Sequence, residues 1–229
     1  MSRKSAVGSR QSPRPLPLDS RLPIADGRLP PSLPGMSIGL FGGSFDPPHE
    51  GHVAVSLEAL RALRLDQVWW LVSPQNPLKP NAPLSDLSRR IAAARALVRD
   101  PRIRVTGIEA SLGTTWTAET LRRLLPRLAG VDCVWMMGAD NLAGFHRWRD
   151  WQAIAASLPI AVFNRPGAAL PALASPAARA LARFRRDPAD AGLVARTRPP
   201  AWVFLPAPSI PLSSTELRRI SATRTASLF

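Results

Sequence analysis

From Met36 onward, short apolar runs alternate with stretches whose apolar residues recur every three or four positions. Residues 36–41 form an apolar run ending in Gly42-Gly43 and predict a strand. Between residues 51 and 65, Val53, Leu57, Leu60 and Leu63 recur at helical spacing. Residues 67–72 predict a second strand, followed by a proline-rich loop over 73–84. Ser85 and Asp86 supply an N-cap signal for a helix over 87–98, which Pro101 follows. A third strand at 102–106, a helix at 117–128 and a fourth strand at 131–137 come next. Strands five and six fall at 158–163 and 202–205. A stretch rich in Ala, Arg and Pro (166–200) lies between them, with a short helix at 177–185. A last helix over 213–220 is entered from Pro211.

Strands separated by helices of this length predict βαβ units with right-handed crossovers, hence an α/β, Rossmann-like parallel sheet with helices on both faces. In such sheets ligands sit at the carboxyl ends of the strands, beside a topological switch point. Chemistry is therefore sought just after each strand.

The first 35 residues show neither period, and contain six basic residues, two acidic ones and seven prolines. They predict a disordered leader ahead of one domain over 36–229. No apolar block in it resembles a secretory signal, and its prolines disfavour an amphipathic transit helix. Met36, directly before the first strand, is a candidate start.

Composition then narrows the picture. The 229 residues carry 30 basic against 16 acidic side chains, a formal +14. That excess is concentrated in the leader and in residues 179–198, each contributing +4, and no basic stripe is interleaved with stacking aromatics. A nucleic-acid partner is therefore the weaker reading of the charge. No apolar stretch reaches the length of a membrane span, so no membrane association is expected and the chain reads as cytoplasmic. The single cysteine, Cys133, excludes an internal disulfide, and with three histidines a cysteine–histidine metal cage lacks ligands.

Two segments carry candidate chemistry. Gly42-Gly43-Ser44-Phe45-Asp46-Pro47-Pro48-His49-Glu50-Gly51-His52 leaves the first strand and enters the first helix. Its glycines permit a tight turn and close backbone approach to a ligand. His49 and His52 stand three apart at a helix start, where the helix dipole favours phosphate. Two imidazoles there can donate to oxygens that gain negative charge in a transition state. A zinc reading of His-x-x-His would need further ligands, with only His146 and Cys133 available. Near the other end, Ser213, Ser214 and Thr215 open the last helix, with Arg218 one turn on, as a second anion site.

The first of these segments resembles the phosphate-binding signature of the HxGH nucleotidyltransferases. Its fuller wording is similar to the nicotinate-nucleotide adenylyltransferase family. Further landmarks of that family recur in order. They are Ser73-Pro74-Gln75-Asn76-Pro77-Leu78-Lys79, Thr115-Trp116-Thr117-Ala118-Glu119-Thr120-Leu121, Met137-Gly138-Ala139-Asp140-Asn141, His146-Arg147-Trp148 and Ser213-Ser214-Thr215-Glu216-Leu217-Arg218. The resemblance spans residues 37–220 and leaves out the leader. It implies adenylyl transfer from ATP, taken up with Mg²⁺, to nicotinate mononucleotide, giving deamido-NAD and pyrophosphate in NAD biosynthesis.

By the same resemblance, His49, His52, Lys79 and Arg218 are the catalytic set. Gly42, Gly43, Ser44, Phe45, Ser213, Ser214 and Thr215 join His49, His52 and Arg218 around ATP. Asp46, Thr115, Trp116, Asp140, Trp148 and Arg165 are assigned to the substrate. Trp148 would stack on the pyridine ring, backbone amides near Thr115 and Trp116 would hold its carboxylate, and Asp140 would take a ribose hydroxyl or assist Mg²⁺. Trp116 stands where the family commonly has Tyr, which removes a phenolic hydroxyl. Another acceptor, nicotinamide mononucleotide or phosphopantetheine, remains the alternative. The stretch 166–200 matches no family feature and is expected to be a local elaboration.

Overall fold

The computed structural model describes residues 28–75, 84–164 and 168–208. Six strands form one sheet: β1 (Ser37–Gly43), β2 (Gln67–Val72), β3 (Ile103–Thr106), β4 (Asp132–Gly138), β5 (Ile160–Asn164) and β6 (Trp202–Pro206). Their order is β3-β2-β1-β4-β5-β6, and every adjacent pair is parallel. The chain works outward from β1 to one edge, then returns to build the other half from β4. The order therefore reverses between β1 and β4, which is where the carboxyl ends of the strands leave a crevice.

The strands are nearly continuous apolar runs because both faces of the sheet are covered. Alternate residues serve opposite cores. Ile38, Leu40, Trp69, Leu71, Trp135 and Val162 belong to one cluster, and Phe41, Val68, Trp70, Val134, Met136 and Phe163 to the other. Over the first face lie α3 (Ile108–Leu112), α4 (Thr117–Leu124), α5 (Ala139–Gly144), α6 (Trp151–Ser157), α7 (Ala169–Leu173) and α8 (Pro176–Ala180). Over the second lie α1 (Glu50–Ala62), α2 (Leu87–Leu97) and a 3₁₀ segment, Pro188–Arg196.

The expected strands are all present within two residues, and the differences have local causes. The helix expected over 117–128 stops as an α-helix at Leu124 and tightens into a 3₁₀ turn, Leu125–Leu128, because Pro126 has no N–H to continue the ladder. The stretch 166–200 is more than an elaboration. Ala172, Ala177 and Ala178 fill the first core, while Ala191, Val194 and Ala195 fill the second. Its arginines lie on the outer side, with Arg185 over the rings of Trp202 and Phe204. Small side chains let this short crossover pack closely, which a search for large apolar residues overlooks.

Residues 28–35, placed in the leader by sequence, lie on the domain. Gly35 N–H donates to Gly130 O at 2.7 Å and the Gln67 amide donates to Pro31 O at 3.1 Å. The last helix, expected at 213–220, lies outside the described residues. Among the described residues no helix is long and apolar enough to cross a membrane.

One buried cation ties the loops at the carboxyl end together. Arg90 of α2 is 2% exposed. Its guanidinium donates to Ser44 O (2.6 Å), Ser73 O (2.7 Å), Ser85 O (2.8 Å) and Pro74 O (3.2 Å). These carbonyls belong to the exits of β1 and β2 and the entry of α2. Burial lowers the Arg90 pKa from its usual value, with the carboxylates of Asp46 and Asp86 acting in the opposite sense. An arginine remains charged under such a shift. Arg90→Ala orphans four carbonyls and is expected to cost about 3 kcal/mol of unfolding free energy, with Arg90→Lys recovering only part. Urea denaturation measures this, and a loss below about 1 kcal/mol would contradict the clamp.

Candidate active site

The exit of β1 is shaped by close packing. A Cβ on Gly42 would stand 2.6 Å from Trp135 Cη2, so only glycine lets the β4 indole lie across the end of β1. The chain then turns through Phe45, whose φ of +46° is left-handed. That conformation is unfavourable for a large side chain. It is held because the Phe45 ring is buried, stacks on Trp70 (4.7 Å, 13°) and meets Phe41 edge-on (5.8 Å, 86°). Phe45 thus anchors the loop to the core from beneath.

The two histidines close the start of α1 as a reciprocal cap. His49 is the N-cap residue, and its Nδ1 accepts from Gly51 N–H at 3.1 Å. His52 Nδ1 accepts from His49 N–H at 3.2 Å. An Nδ1 that accepts carries no proton, so each neutral imidazole holds its hydrogen on Nε2. The rings lie 3.9 Å apart, and His52 also rests against Phe45 at 4.8 Å. His49 is buried and His52 half-buried. Helix capping therefore fixes the tautomer and the aim of both side chains at the positive end of α1.

Beside this loop, at the reversal of strand order, lies a cleft. Its floor is Gly42, Gly43 and Ser44 of β1 with Ser73 and Gln75 after β2. Its walls are Glu109, Thr115, Trp116 and Thr117 on one side, and Trp135, Asn141, Trp148 and Arg149 on the other. Trp148 is braced by Phe145 (5.4 Å, 75°), and the Arg149 guanidinium lies 5.7 Å from the Trp116 ring centre. Three indoles thus surround a polar floor, an arrangement suited to a flat ring joined to anionic groups.

Of the residues expected from sequence, Gly42, Gly43, Ser44, Thr115, Trp116 and Trp148 line this cleft. Phe45, His49 and His52 form the adjoining helix entrance. Asp46 is turned elsewhere: its carboxylate accepts from the hydroxyl and the N–H of Ser85, bracing the entry to α2. Asp140 is exposed in the first turn of α5, its carboxylate lying over Gly138. Lys79, Arg165, Ser213, Ser214, Thr215 and Arg218 lie outside the described residues.

Sequence reasoning passed over Arg90, Glu109, Trp135 and Arg149. Glu109 is 4% exposed. Its Oε1 accepts from Thr120 Oγ1 at 3.2 Å, and Thr120 in turn contacts Thr114 Oγ1 at 2.9 Å. Burial pushes its carboxyl up to about 7, with the hydroxyls of Ser73 and Thr120 acting in the opposite sense. A visible signal existed: Glu109 is the one charged residue between Arg104 and Glu119, among Ile108, Ala110 and Leu112. Cys133 is buried, and its thiol is pushed up to about 12 by burial and by Asp132, which leaves it unreactive.

The cytidylyltransferase-like family model matches residues 40–220. A probable nicotinate-nucleotide adenylyltransferase of Cereibacter sphaeroides is 59% identical over 183 residues, covering 80% of this chain and 97% of that protein. One from Rhizobium meliloti is 53% identical over 183 residues, covering 80% and 97%. Among solved structures, Plasmodium falciparum nicotinic acid mononucleotide adenylyltransferase complexed with NaAD superposes with a TM-score of 0.59 at 15% identity. That superposition covers 80% of this chain and 83% of the other, and it concerns the fold alone. By family model and by relatives matched over nearly their whole length, the chain belongs to the nicotinate-nucleotide adenylyltransferase family within the cytidylyltransferase-like proteins.

Proposed function

We propose that this protein transfers the adenylyl group of ATP to nicotinate mononucleotide, releasing pyrophosphate and forming deamido-NAD for NAD biosynthesis. The observation that carries the reading is the junction of the two parts of the site. The histidine-capped phosphate loop and the indole-walled cleft share Gly42, Gly43 and Ser44 at the switch point. A nucleotide triphosphate on the loop and a pyridine ring in the cleft would therefore meet at the reacting phosphates.

In this reading a phosphate oxygen of the mononucleotide attacks the α-phosphorus of ATP in line. The new P–O bond forms as the bond from the α-phosphorus to the bridging oxygen breaks, and that oxygen leaves with pyrophosphate. No protein nucleophile is needed, so the chain contributes position and charge stabilisation. The Nε2–H groups of His49 and His52 donate to phosphate oxygens as negative charge grows, aided by the N-terminal end of α1. Gly42, Gly43 and Ser44 admit the triphosphate close to the backbone. Trp148 and Trp116 hold the pyridine ring, and the Thr115 and Trp116 amides take its carboxylate.

Lys79, Arg165, Ser213, Ser214, Thr215 and Arg218 are assigned to the phosphates and nucleotide on their motifs alone. Asp140, exposed at the end of β4, takes a ribose hydroxyl or a cation ligand. Asp46 acts through the loop it braces. Among the described residues no group of three or more His, Cys, Asp or Glu is placed to hold a metal ion. A divalent cation, which we take to be Mg²⁺, would enter on the ATP phosphates, with a carboxylate such as Asp140 available from the described residues. A cytoplasmic setting suits a chain with a single buried thiol.

Two measurements test the reading. With Mg-ATP, pyrophosphate release is expected to be much faster with nicotinate mononucleotide than with the amide. Equal turnover, or preference for the amide, overturns the substrate. His52→Ala is expected to lower kcat by about 10²–10³, the loss typical of one preorganised donor to a developing anion. Its melting temperature should fall only slightly, since the lost cap is worth about 1 kcal/mol. Full activity in that variant removes His52 from the site.

A further inference from the structure

Two residues that line the cleft each carry a buried polar atom that no described group pairs. Glu109 Oε2 and Trp135 Nε1 both belong to residues lining it, and neither has a hydrogen-bond partner among the described residues. A buried polar group without a partner is costly, and two on one cleft mark where a ligand completes the bonding. The indole N–H can only donate.

The carboxyl of Glu109 faces no compensating cation. Its titration is governed by burial, against the hydroxyls of Ser73 and Thr120, and no charged side chain is among the causes. The nearby charges are otherwise engaged. Arg90 is bound to loop carbonyls, Glu119 and Arg123 of α4 pair with each other at 2.5 Å, and Arg149 lies over Trp116 toward Asp150. The neighbouring strand β2 presents only apolar residues beyond Gln67. Ser73 Oγ is near, but its one hydrogen goes to Gln75 O at 2.8 Å, so toward a protonated Glu109 it serves only as an acceptor that a ligand oxygen would replace. With Thr120 donating to Oε1 and burial raising the carboxyl to about 7, the protonated form, dominant below that pH, carries its hydrogen on Oε2. Both unpaired atoms are then donors, and the ligand group they fit is an acceptor, best an anionic one.

We propose that Glu109 is a specificity-determining residue that, in its protonated form, donates Oε2–H to the carboxylate on the acceptor's pyridine ring, alongside the Trp135 N–H. The inference rests on the substrate reading above and adds to it a proton-dependent choice of acid over amide. Ionised Glu109 repels a carboxylate and accepts from an amide NH₂. The group's folded pKa is raised, so the favourable form dominates below about 7 and is lost as pH rises through it. Acid binding therefore holds Glu109 protonated and takes up a proton above that pH.

The test compares nicotinate mononucleotide with nicotinamide mononucleotide between pH 6 and 9. Both carry the same phosphate and meet the same histidines, and the Thr115 and Trp116 amides do not titrate, so the pH dependence of the acid-to-amide ratio of kcat/KM isolates Glu109. In the wild-type protein the ratio is expected to fall by about tenfold or more across this range, the worth of one charge-assisted hydrogen bond. Calorimetry in buffers of different ionisation enthalpy should show proton uptake on acid binding at pH 8. Glu109→Gln keeps a carbonyl for Thr120 and places NH₂ at Oε2, so it should hold a high, pH-independent ratio with no uptake. Glu109→Leu should give a low, flat ratio. Acid preference with a flat wild-type ratio, or no uptake, overturns the proposal. So does a Gln variant that melts cooperatively and keeps the wild-type pH dependence. The absence of any acid preference at pH 6 is a different result, and it defeats the substrate reading itself.

Discussion

A single buried guanidinium fixes the working end of this sheet. Parallel strands end in loops with unsatisfied carbonyls, and an active site requires those loops to be close together without collapsing. Arg90 solves this by donating to Ser44, Ser73, Pro74 and Ser85 at once, so the exits of β1 and β2 and the entry of α2 share one partner. Asp46 reinforces it by bracing Ser85 from the same loop. The floor of the cleft is therefore built from backbone whose polar groups are already directed by charge.

On that frame the site we propose divides into a phosphate end and a ring end with different physics. The phosphate end uses the positive pole of α1 and two imidazoles whose tautomer is set by capping. The ring end is walled by Trp116, Trp135 and Trp148 over a polar floor, with the Glu109 carboxyl buried beside them. In such surroundings a single proton on Glu109 decides whether the wall presents a donor or an anion. Gly42 joins the halves, since any side chain there would push the Trp135 indole out of the cleft.

The periodic parts of the fold were legible in sequence because burial on both faces leaves an unmistakable run of apolar residues. Strand β2 shows it best, with Trp69 and Leu71 on one core and Trp70 and Val72 on the other. The short helices α3, α5, α6 and α7 were not, since five to seven residues cannot display a 3.6-residue period. The candidate phosphate loop stood out in sequence because glycines, prolines and paired histidines rarely cluster without a reason. Arg90 and Glu109 were not legible as site residues. Their role comes from burial: Arg90 sits among residues that a surface helix would equally contain, and Glu109 is marked only as a lone charge among apolar neighbours. Asp46, assigned to substrate by its motif, has a further structural part that the sequence does not display, since its carboxylate accepts from Ser85.

A crystal structure of the protein soaked with deamido-NAD tests the central claim most directly. The account predicts the pyridine ring between Trp116 and Trp148, its carboxylate within hydrogen-bond reach of Glu109 Oε2 and Trp135 Nε1, and the phosphates at the Nε2 atoms of His49 and His52. A pyridine ring outside this cleft, or phosphates remote from the start of α1, would contradict it.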